Sequence, residues 1–142
     1  MLQLLTEENK LLRQRSKRVS KIDDTVRNIS ASLIDTMILN NGVGIAAPQC
    51  GILKQIIIVL VESEPKVFIN PEIISVSDET DLADEGCLSI PSKFVTKYRR
   101  KSITLKYRDL KGHPHIETYD GFAARVLQHE IDHLHGVLMT DE

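Results

Sequence analysis

The residues best suited to chemistry lie in one short segment late in the chain. Residues 129–133 have the sequence HEIDH, an H-E-x-x-H pattern. If this segment is helical, positions four apart differ by only ~40° around the axis, so His129 and His133 present their imidazoles on one face. Glu130 would then be close enough to take a proton from a water bound to a metal ion that the histidines hold. The alternative is an ordinary amphipathic helix with two histidines on its polar face.

A hydrolytic metal site needs three protein ligands and one open position for water, and Cys87 is the candidate for the third ligand. It lies in the segment EGCLS at residues 85–89, where Gly86 permits a tight backbone beside a reactive side chain. A thiolate with two imidazoles suits a borderline-soft divalent ion such as Zn(II) or Fe(II). The alternative is a buried free cysteine that packs as a small hydrophobic residue.

A second candidate group closes a glycine-rich stretch. Gln49 ends the segment GVGIAAPQ at residues 42–49, and its side-chain amide could donate a hydrogen bond to a developing oxyanion. The neighbouring glycines let backbone groups approach a ligand closely. The segment lacks the third glycine and the Lys-Ser/Thr pair of phosphate-binding loops, so it does not indicate a nucleotide site.

Helices and strands must position these segments, and the sequence predicts their order. Apolar residues recur at helical spacing from Ile22 to about Leu39, with Asp23 or Asp24 as a cap. The glycine-punctuated residues 40–49 predict turns rather than a helix. The strand candidates are 55–61, then 66–70 and 73–76 around an Asn70-Pro71 turn, and a hairpin of 101–108 with 115–119. This order predicts an α+β fold with an N-terminal helix, in which antiparallel strands and hairpins wrap around the late HExxH helix.

The composition is that of a globular protein and predicts one domain, residues 1–142. No apolar run approaches the ~20 residues of a membrane span. The net charge of −2 gives no overall footprint for nucleic acid, and the short basic cluster at 97–101 is predicted to be a solvated edge. Cys50 and Cys87 are the only cysteines, and the N-terminus lacks a secretory signal. Together these features favour a reducing compartment and the cytosol.

The three segments together resemble peptide deformylases. That family carries the motifs GxGxAAxQ, EGCxS and QHExDHxxG in this order, and the chain has GVGIAAPQ at 42–49, EGCLS at 85–89 and QHEIDHLHG at 128–136. The likeness covers essentially the whole chain. It implies a metal-dependent hydrolase that removes the formyl group from N-formylmethionine at the start of nascent polypeptides and releases formate.

The resemblance also implies a metal and its ligands. Cys87, His129 and His133 would hold one divalent ion, usually Fe(II) in this family, with Zn(II), Ni(II) or Co(II) able to substitute. A metal-bound water would attack the formyl carbon, with Glu130 as general base and acid. Glu85 is a candidate for a carboxylate that orients the site from outside the ligand set, and the alternative is an ordinary surface acid.

By the same likeness, further residues would bind the substrate. The side-chain amide of Gln49 and the backbone N–H of Leu88 would donate to the formyl oxygen. The backbone of Gly44, together with Val43, would pair with the substrate peptide. The methionine pocket would be lined by Val43, Phe122, Val126 and part of His129.

The resemblance further predicts the partners and the location of the protein. The partners would be N-formyl-methionyl peptides and nascent chains, with a transient ribosome contact, no sequence-specific nucleic-acid binding and no membrane association. The protein would be a monomer in the bacterial cytoplasm, with an organelle as the alternative.

Two features depart from some members of the family. The chain ends at Glu142, whereas longer bacterial members continue into another C-terminal helix, so it resembles a short form, and the resemblance does not extend to functions that this helix serves, such as docking near the ribosome. Phe94 stands where some members have an arginine that helps hold the peptide backbone. Substrate affinity is therefore expected to depend on main-chain pairing and on the methionine pocket.

Two other classes of protein share parts of this pattern. HExxH metallopeptidases usually take their third ligand from a Glu or His beyond the helix, and here Asp141 and Glu142 lie at the extreme end of the chain. A structural metal domain would close all four positions, with Cys50 as the fourth ligand. Cys50 is instead expected to pack in the core, and the retained Glu130 and Gln49 argue for catalysis.

Overall fold

The computed structural model describes residues 2–141, and its first long element is the predicted N-terminal helix. Helix α1 spans Asp24–Leu39, and the side chain of Asp23 caps it by accepting the N–H of Val26 at 3.1 Å. Val26, Leu33 and Met37 recur at helical spacing and are buried. The predicted helix and its cap are therefore confirmed.

The strands among residues 2–141 form two antiparallel sheets. The first has five strands in the order β1-β2-β3-β6-β7, and the second is a hairpin of β4 and β5. The strands are Gly44–Ala46 (β1), Ile56–Val61 (β2), Glu64–Val76 (β3), Thr80–Cys87 (β4), Ile90–Arg100 (β5), Ser102–Arg108 (β6) and Pro114–Asp120 (β7). The predicted strand at 55–61 and the predicted hairpin of 101–108 with 115–119 are confirmed by β2, β6 and β7.

The predicted turn at Asn70-Pro71 is wrong. Strand β3 runs continuously through both residues, and its register against β6 shifts between Ile69 and Glu72. Asn70 adopts a left-handed backbone with a φ of 54°, while its side chain bonds both the N–H and the C=O of Val19, at 2.7 and 2.8 Å. A β-bulge therefore occupies the position where the Asn-Pro pair suggested a turn.

Residues 40–49 are more regular than their glycines suggest. Gly44–Ala46 forms the edge strand β1, which is buried throughout, and Ala47–Cys50 forms a 3₁₀ turn. The strand pairs with β2 and places Gly44 opposite Val59. Its regularity comes from this long-range pairing, which the local glycine pattern does not encode.

The β4–β5 hairpin was not predicted. Strand β4 has the sequence TDLADEGC, and its mostly polar, mostly exposed side chains give no apolar alternation. On β5 the exposed residues Phe94 and Tyr98 lie opposite Gly86 and Leu82. The turn of the hairpin begins immediately after Cys87, so the thiol lies at the end of β4.

The five-stranded sheet lies between the two helices. The period-two alternation of β2 directs Ile57 and Val59 to one face and Ile56 and Ile58 to the other. The first pair packs with helix α2, which spans Gly121–Leu134, and the second pair packs with α1. Both apolar clusters therefore include side chains of the same strand, β2.

Helix α2 is the more enclosed of the two α-helices, with ten of its 14 residues buried. Its polar residues therefore need partners inside the protein. No helix in the described part of the chain is both long and apolar enough to cross a membrane. The predicted α+β fold, with antiparallel strands and hairpins around a late HExxH helix and an N-terminal helix, is confirmed.

Candidate metal centre

Two elements bring three metal-ligating side chains together. Cys87 is the last residue of β4, and His129 and His133 lie one turn apart on α2. One ligand atom from each lies within 4.8 Å of the other two. The Sγ of Cys87 is 3.5 Å from Nε2 of His133, and the two imidazole centroids are 5.1 Å apart. The three residues predicted as ligands therefore converge on one point.

The chemistry of this donor set fits a borderline-soft divalent ion, because one thiol and two imidazoles are ligands that Zn(II) and Fe(II) accept. The Nδ1 of His129 is 3.0 Å from Oε1 of Glu85, which leaves Nε2 for a metal. The Nδ1 of His133 is buried and has no hydrogen-bond partner within residues 2–141. The Nε2 of His133 is therefore the nitrogen that is placed beside Cys87 to bind an ion.

Glu85 connects the centre to a buried network of ion pairs. Its carboxylate accepts two hydrogen bonds from Arg99, at 2.8 and 2.9 Å, and one from Arg125, at 2.7 Å. Burial acts to raise the pKa of Glu85, but the bonds from His129 and Arg99 outweigh it and hold the pKa well below its ordinary value. Glu85 is therefore a carboxylate that stays ionised although it is only 6% exposed.

Arg99 contradicts the prediction that residues 97–101 form a solvated edge. It is 9% exposed, and besides Glu85 it pairs with Asp132 of α2, at 2.6 Å between Nη1 and Oδ2. The prediction is wrong here because strand alternation turns Arg99 inward while its neighbours Tyr98 and Arg100 point outward. A basic cluster on a strand thus has one buried member.

Arg125 fastens α2 to the hairpin from the helix side. Its side chain is 8% exposed, and besides its bond to Glu85 its Nη2 donates to the backbone oxygen of Asp81 at 2.6 Å. Its Nη1 also donates to the backbone oxygen of Lys97 at 3.1 Å. Asp81 and Lys97 lie on the two different strands of the hairpin. The guanidinium group therefore spans β4 and β5 and fixes both to the helix that carries the histidines.

The two histidines hold protons differently. Burial disfavours the charged form of His129, but hydrogen bonds to Cys87 and Glu85 outweigh it and raise its pKa to about 10. Burial, together with the neighbouring His129, lowers the pKa of His133 to about 3. Without a metal ion, His129 therefore takes up an additional proton more readily than His133 does. A cation at the three donors would compete with that proton.

Glu130 is the buried carboxyl group beside these ligands. It is 4% exposed, and its Oε1 has no hydrogen-bond partner within residues 2–141. Burial is the main cause that raises the pKa of Glu130 to about 7. A Cβ at position 44 would lie 2.6 Å from Oε2 of Glu130 and 2.6 Å from a methyl carbon of Val126. Only glycine at position 44 therefore lets β1 lie this close to the carboxyl group.

Gln49 approaches the metal ligands from the 3₁₀ turn that follows β1. Its Oε1 accepts the N–H of Ala46 at 2.9 Å, which directs its NH₂ group toward the hairpin. The Nε2 lies 3.6 Å from Sγ of Cys87 and 3.2 Å from Oγ of Ser89. Leu88 follows Cys87 in the hairpin turn, so its backbone is the next unit after the thiol. Both predicted donors are thus close to Cys87, Gln49 in space and Leu88 along the chain.

A cleft of about 520 Å³ opens next to the ligands. Phe94 and Phe122 are 74% and 63% exposed, so their rings are largely open to solvent at the cleft. The ring of Phe94 covers Gly86, where a Cβ would come 3.0 Å from a ring carbon. The residues predicted to contact substrate line this one cleft, namely Val43, Gly44, Phe122, Val126 and His129.

Strand β1 is an edge strand of its sheet and borders the cleft. The carbonyl of Val43 accepts the N–H of Leu60 at 2.9 Å, so the backbone of Val43 points toward β2. Backbone groups alternate in direction along an antiparallel strand. The N–H and C=O of Gly44 therefore point away from β2, toward the open edge.

Sequence reasoning missed three residues of the site: Ser89, Arg99 and Arg125. Arg125 had a usable signal, because it lies four positions before His129 and so shares its face of the helix. Arg99 had no such signal in the sequence, because its charge matches that of its neighbours and strand β5 was not predicted. Ser89 is fully buried and accepts from Gln49, a contact that only the folded chain creates.

An H-E-x-x-H helix, completed by a cysteine and flanked by a buried carboxyl group, defines the class of metal-dependent hydrolases. Comparison with known proteins narrows this class. The family model described as polypeptide deformylase matches residues 1–142. The peptide deformylase of Thermosynechococcus vestitus is 43% identical over 145 aligned residues, which cover 99% of this chain and 77% of that protein. The chain therefore belongs to the polypeptide deformylase family.

Solved structures agree with this assignment. The peptide deformylase of Thermotoga maritima superposes with a TM-score of 0.98 at 42% identity, over 100% of this chain and 97% of that one. The Met-Ala-Ser-bound class I type b enzyme of Acinetobacter baumannii has a TM-score of 0.94 at 34% identity, over 97% and 95% of the two chains. The protein removes the formyl group from N-formylmethionine at a Cys/His/His metal site. The predicted family, reaction and ligand set are confirmed.

Proposed function

We propose that Glu130 moves the proton in this reaction, while Gln49 and Leu88 stabilise the charge that develops on the formyl oxygen. The observation that carries the proposal is the buried Glu130 carboxyl group, whose Oε1 has no partner within residues 2–141. Buried polar atoms are seldom left without a partner outside functional sites. This oxygen is therefore suited to hold a proton that it takes from water.

Cys87, His129 and His133 would hold the metal, and we propose Fe(II) as the ion in the cell, with Zn(II), Ni(II) or Co(II) able to substitute. When bound, the ion acts as a Lewis acid that lets water ionise near neutral pH. The mixed thiol and imidazole donors support a borderline-soft ion over Mg²⁺ or Ca²⁺, which prefer oxygen ligands. Glu85 would fix the His129 ring by accepting from its Nδ1, and would so direct Nε2 inward.

Glu130 would act twice. It takes a proton from the attacking water, and it later delivers that proton to the amine that leaves when the formyl C–N bond breaks. A group with a pKa of about 7 can do both near neutral pH, because neither protonation state is strongly disfavoured. The close approach of Gly44 keeps this carboxyl group in one place between the two events.

Gln49 and Leu88 would receive the formyl oxygen. The bond from Ala46 to Oε1 of Gln49 fixes which end of the amide faces Cys87, so the donor nitrogen needs no reorientation during the reaction. The Leu88 N–H follows the thiol directly in the hairpin turn. Preorganised donors of this kind each contribute ~10²–10³ in rate.

The methionine side chain would lie in the apolar part of the cleft, against Val43, Phe122 and Val126. The open backbone edge of Gly44 would pair with the peptide that follows it. Binding of Met-Ala-Ser, the kind of peptide that deformylation leaves, by the Acinetobacter baumannii relative supports a peptide with an N-terminal methionine as the ligand of this cleft. A formyl carbon carries only hydrogen, so a narrow space beside Cys87 would exclude an acetyl group by collision.

We infer that residues 1–142 act as one domain and as a monomer on nascent chains in a bacterial cytoplasm, with a transient contact to the ribosome. The three ligands and the cleft come from one chain, so the proposed site needs no partner subunit to complete it. The bacterial origin of the compared relatives supports the compartment.

The proposal is tested by release of formate from formyl-Met-Ala-Ser. Anaerobic Fe(II)- or Ni(II)-loaded protein is compared with its Glu130→Gln variant and with Glu64→Gln, an exposed glutamate of β3 that serves as the matched control. We expect kcat to fall ~10²–10⁴-fold for Glu130→Gln and to change less than twofold for Glu64→Gln. A Glu130→Gln variant with near-parental kcat and equal metal content would refute the role of Glu130, while the reaction itself would stand.

A further inference from the structure

The N-terminal part of the chain carries a concentrated positive charge that the catalytic site does not use. Residues 10–21 have the sequence KLLRQRSKRVSK, with six basic and no acidic residues, in a chain whose net charge is −2. All six basic side chains are exposed. The positive charge is thus placed in one segment, and the acidic excess lies elsewhere.

The fold enlarges this charge by adding residues from distant parts of the chain. Lys17 pairs with Lys54 in an isolated parallel β-bridge, which places two lysines side by side. Arg18 lines a groove of about 260 Å³ together with Lys106 and Arg108 of β6. We call the resulting surface the basic face, defined by Lys17, Arg18, Lys21, Lys54, Lys106 and Arg108.

The basic face is incompletely neutralised by its acidic neighbours. None of its six residues forms an ion pair within 4.0 Å with a carboxylate of residues 2–141. Glu72 lines the groove, and Asp23 lies near Lys21 and Lys54 and has its pKa lowered, chiefly by the backbone of Val26 and further by these two lysines. Two carboxylates among six cations leave a net positive surface.

We propose that the basic face binds the phosphate backbone of RNA without reading its sequence. Exposed lysines and arginines spaced along an extended segment and around a groove suit a chain of phosphates. A membrane surface suits the face less well, because insertion needs a broad apolar stripe beside the cations. Ile116, opposite Lys106 in the β6–β7 pair, is an exposed aliphatic neighbour of the face.

RNA rather than DNA follows from the activity. The substrate is the start of a polypeptide made on the ribosome, so ribosomal RNA is the polyanion nearest to it. None of the six residues lines the catalytic cleft, so RNA on the basic face would leave the cleft open to a peptide. This step rests on the deformylase activity, whereas the binding itself is measured without it.

The test is fluorescence anisotropy with a labelled 20-nucleotide single-stranded RNA, over 50 to 200 mM KCl, with the metal-loaded full chain. One variant combines Lys17→Gln, Arg18→Gln and Lys106→Gln. A control variant combines Arg27→Gln, Arg100→Gln and Lys101→Gln, which removes the same charge elsewhere. We expect micromolar binding of the parent at 50 mM KCl, and a log–log salt slope that falls by ~2 in the first variant, at ~0.7 per lost contact.

The expected result is a loss of affinity of at least tenfold for the basic-face variant and less than threefold for the control, with equal formate release by all three proteins. Equal weakening by both variants would show that net charge alone is responsible and would overturn the proposal. Absence of RNA binding at 50 mM KCl, tighter binding of the same sequence as DNA, or preference for phosphatidylserine vesicles would also overturn it. Loss of formate release in the parent would bear on the proposed catalytic roles, because anisotropy is independent of turnover.

Discussion

The replacement Arg125→Met tests how the metal centre is held together. Arg125 ties the β4–β5 hairpin, which carries Cys87, to the helix that carries His129 and His133. Methionine has a similar length and an unbranched apolar stem, so it fills most of the space and leaves only the polar contacts missing. The substitution therefore isolates the guanidinium group.

The size of the expected stability loss depends on the hydrogen bonds that Glu85 keeps after Arg125 is replaced. Removing one member of a buried ion pair costs ~3–5 kcal/mol when the other is left uncompensated. Here Glu85 retains two bonds from Arg99 and one from His129, so its charge stays partnered. The backbone oxygen of Asp81 lies on an exposed residue and can turn to water. We therefore expect a loss of about 2 kcal/mol in the free energy of unfolding, near that of one charge-assisted hydrogen bond.

Metal affinity should fall as well, because the distance between Cys87 and the histidines is no longer fixed by Arg125. Loss of groups that orient metal ligands typically costs ~10–100-fold in affinity. Urea unfolding of metal-free protein measures the first quantity, and Co(II) titration followed by absorption measures the second. The control is Arg100→Met, an exposed arginine of β5 that donates to the backbone oxygen of Ser77.

Three outcomes would refute this reasoning. A change of less than about 0.5 kcal/mol in the free energy of unfolding, with unchanged Co(II) affinity, would show that Arg125 does not hold the hairpin and the helix together. A loss of about 2 kcal/mol in the free energy of unfolding, with a Co(II) affinity equal to that of the parent, would show that the ion pair stabilises the fold but does not position Cys87. Equal effects of Arg125→Met and Arg100→Met would point to net charge.

Three further predictions follow from single contacts. Gly44→Ala should lower kcat/KM about 100-fold with circular dichroism unchanged, because the added Cβ would displace the Glu130 carboxyl group; activity within twofold of the parent would contradict the crowding. Gly136→Ala should lower the free energy of unfolding by more than about 1 kcal/mol, since φ is 75° and the new Cβ would meet the backbone of Arg13; an unchanged urea midpoint would contradict this. Burial acts to raise the pKa of Glu117, but its tyrosine and lysine partners outweigh it and lower the pKa from 4.5 to about 2. The folded state therefore takes up this proton less readily, and the stabilisation is complete above pH 4.5 and is lost as the pH falls toward 2. Glu117→Gln should flatten the acid limb of stability by no more than about 1 kcal/mol, because the side chain is 38% exposed; an unchanged slope would contradict it.

The sequence predicted the elements whose patterns are local. Apolar residues at helical spacing and Asp23 at the cap predict helix α1, and both features depend only on neighbours within one or two turns. The same holds for the hairpin of β6 and β7, where Ile103, Leu105 and Tyr107 alternate inward. The bulge at Asn70 was not predicted, because it depends on two hydrogen bonds to Val19, which is distant in the sequence.

The metal ligands were predictable for a related reason. His129 and His133 are spaced by the helical period, so their convergence is visible without any tertiary contact. The groups that hold them in place are less visible. Arg99 is buried only because β5 pairs with β4 in a particular register, and a polar strand gives no local sign of that register.

The spacing of Glu85 and Cys87 along β4 determines which way the two side chains point. Residues two apart on a strand share one face, so the E-x-C pattern places the carboxylate and the thiol side by side once β4 is known to be a strand. Gly86 then points to the opposite face, where the Phe94 ring lies against it. A one-residue slip of β4 against β5 would turn both Glu85 and Cys87 away from α2 and leave the histidines without their third ligand. The pairing register of a polar hairpin therefore decides whether this centre can bind a metal at all, which is why the cross-strand grip of Arg125 should affect metal affinity as well as stability.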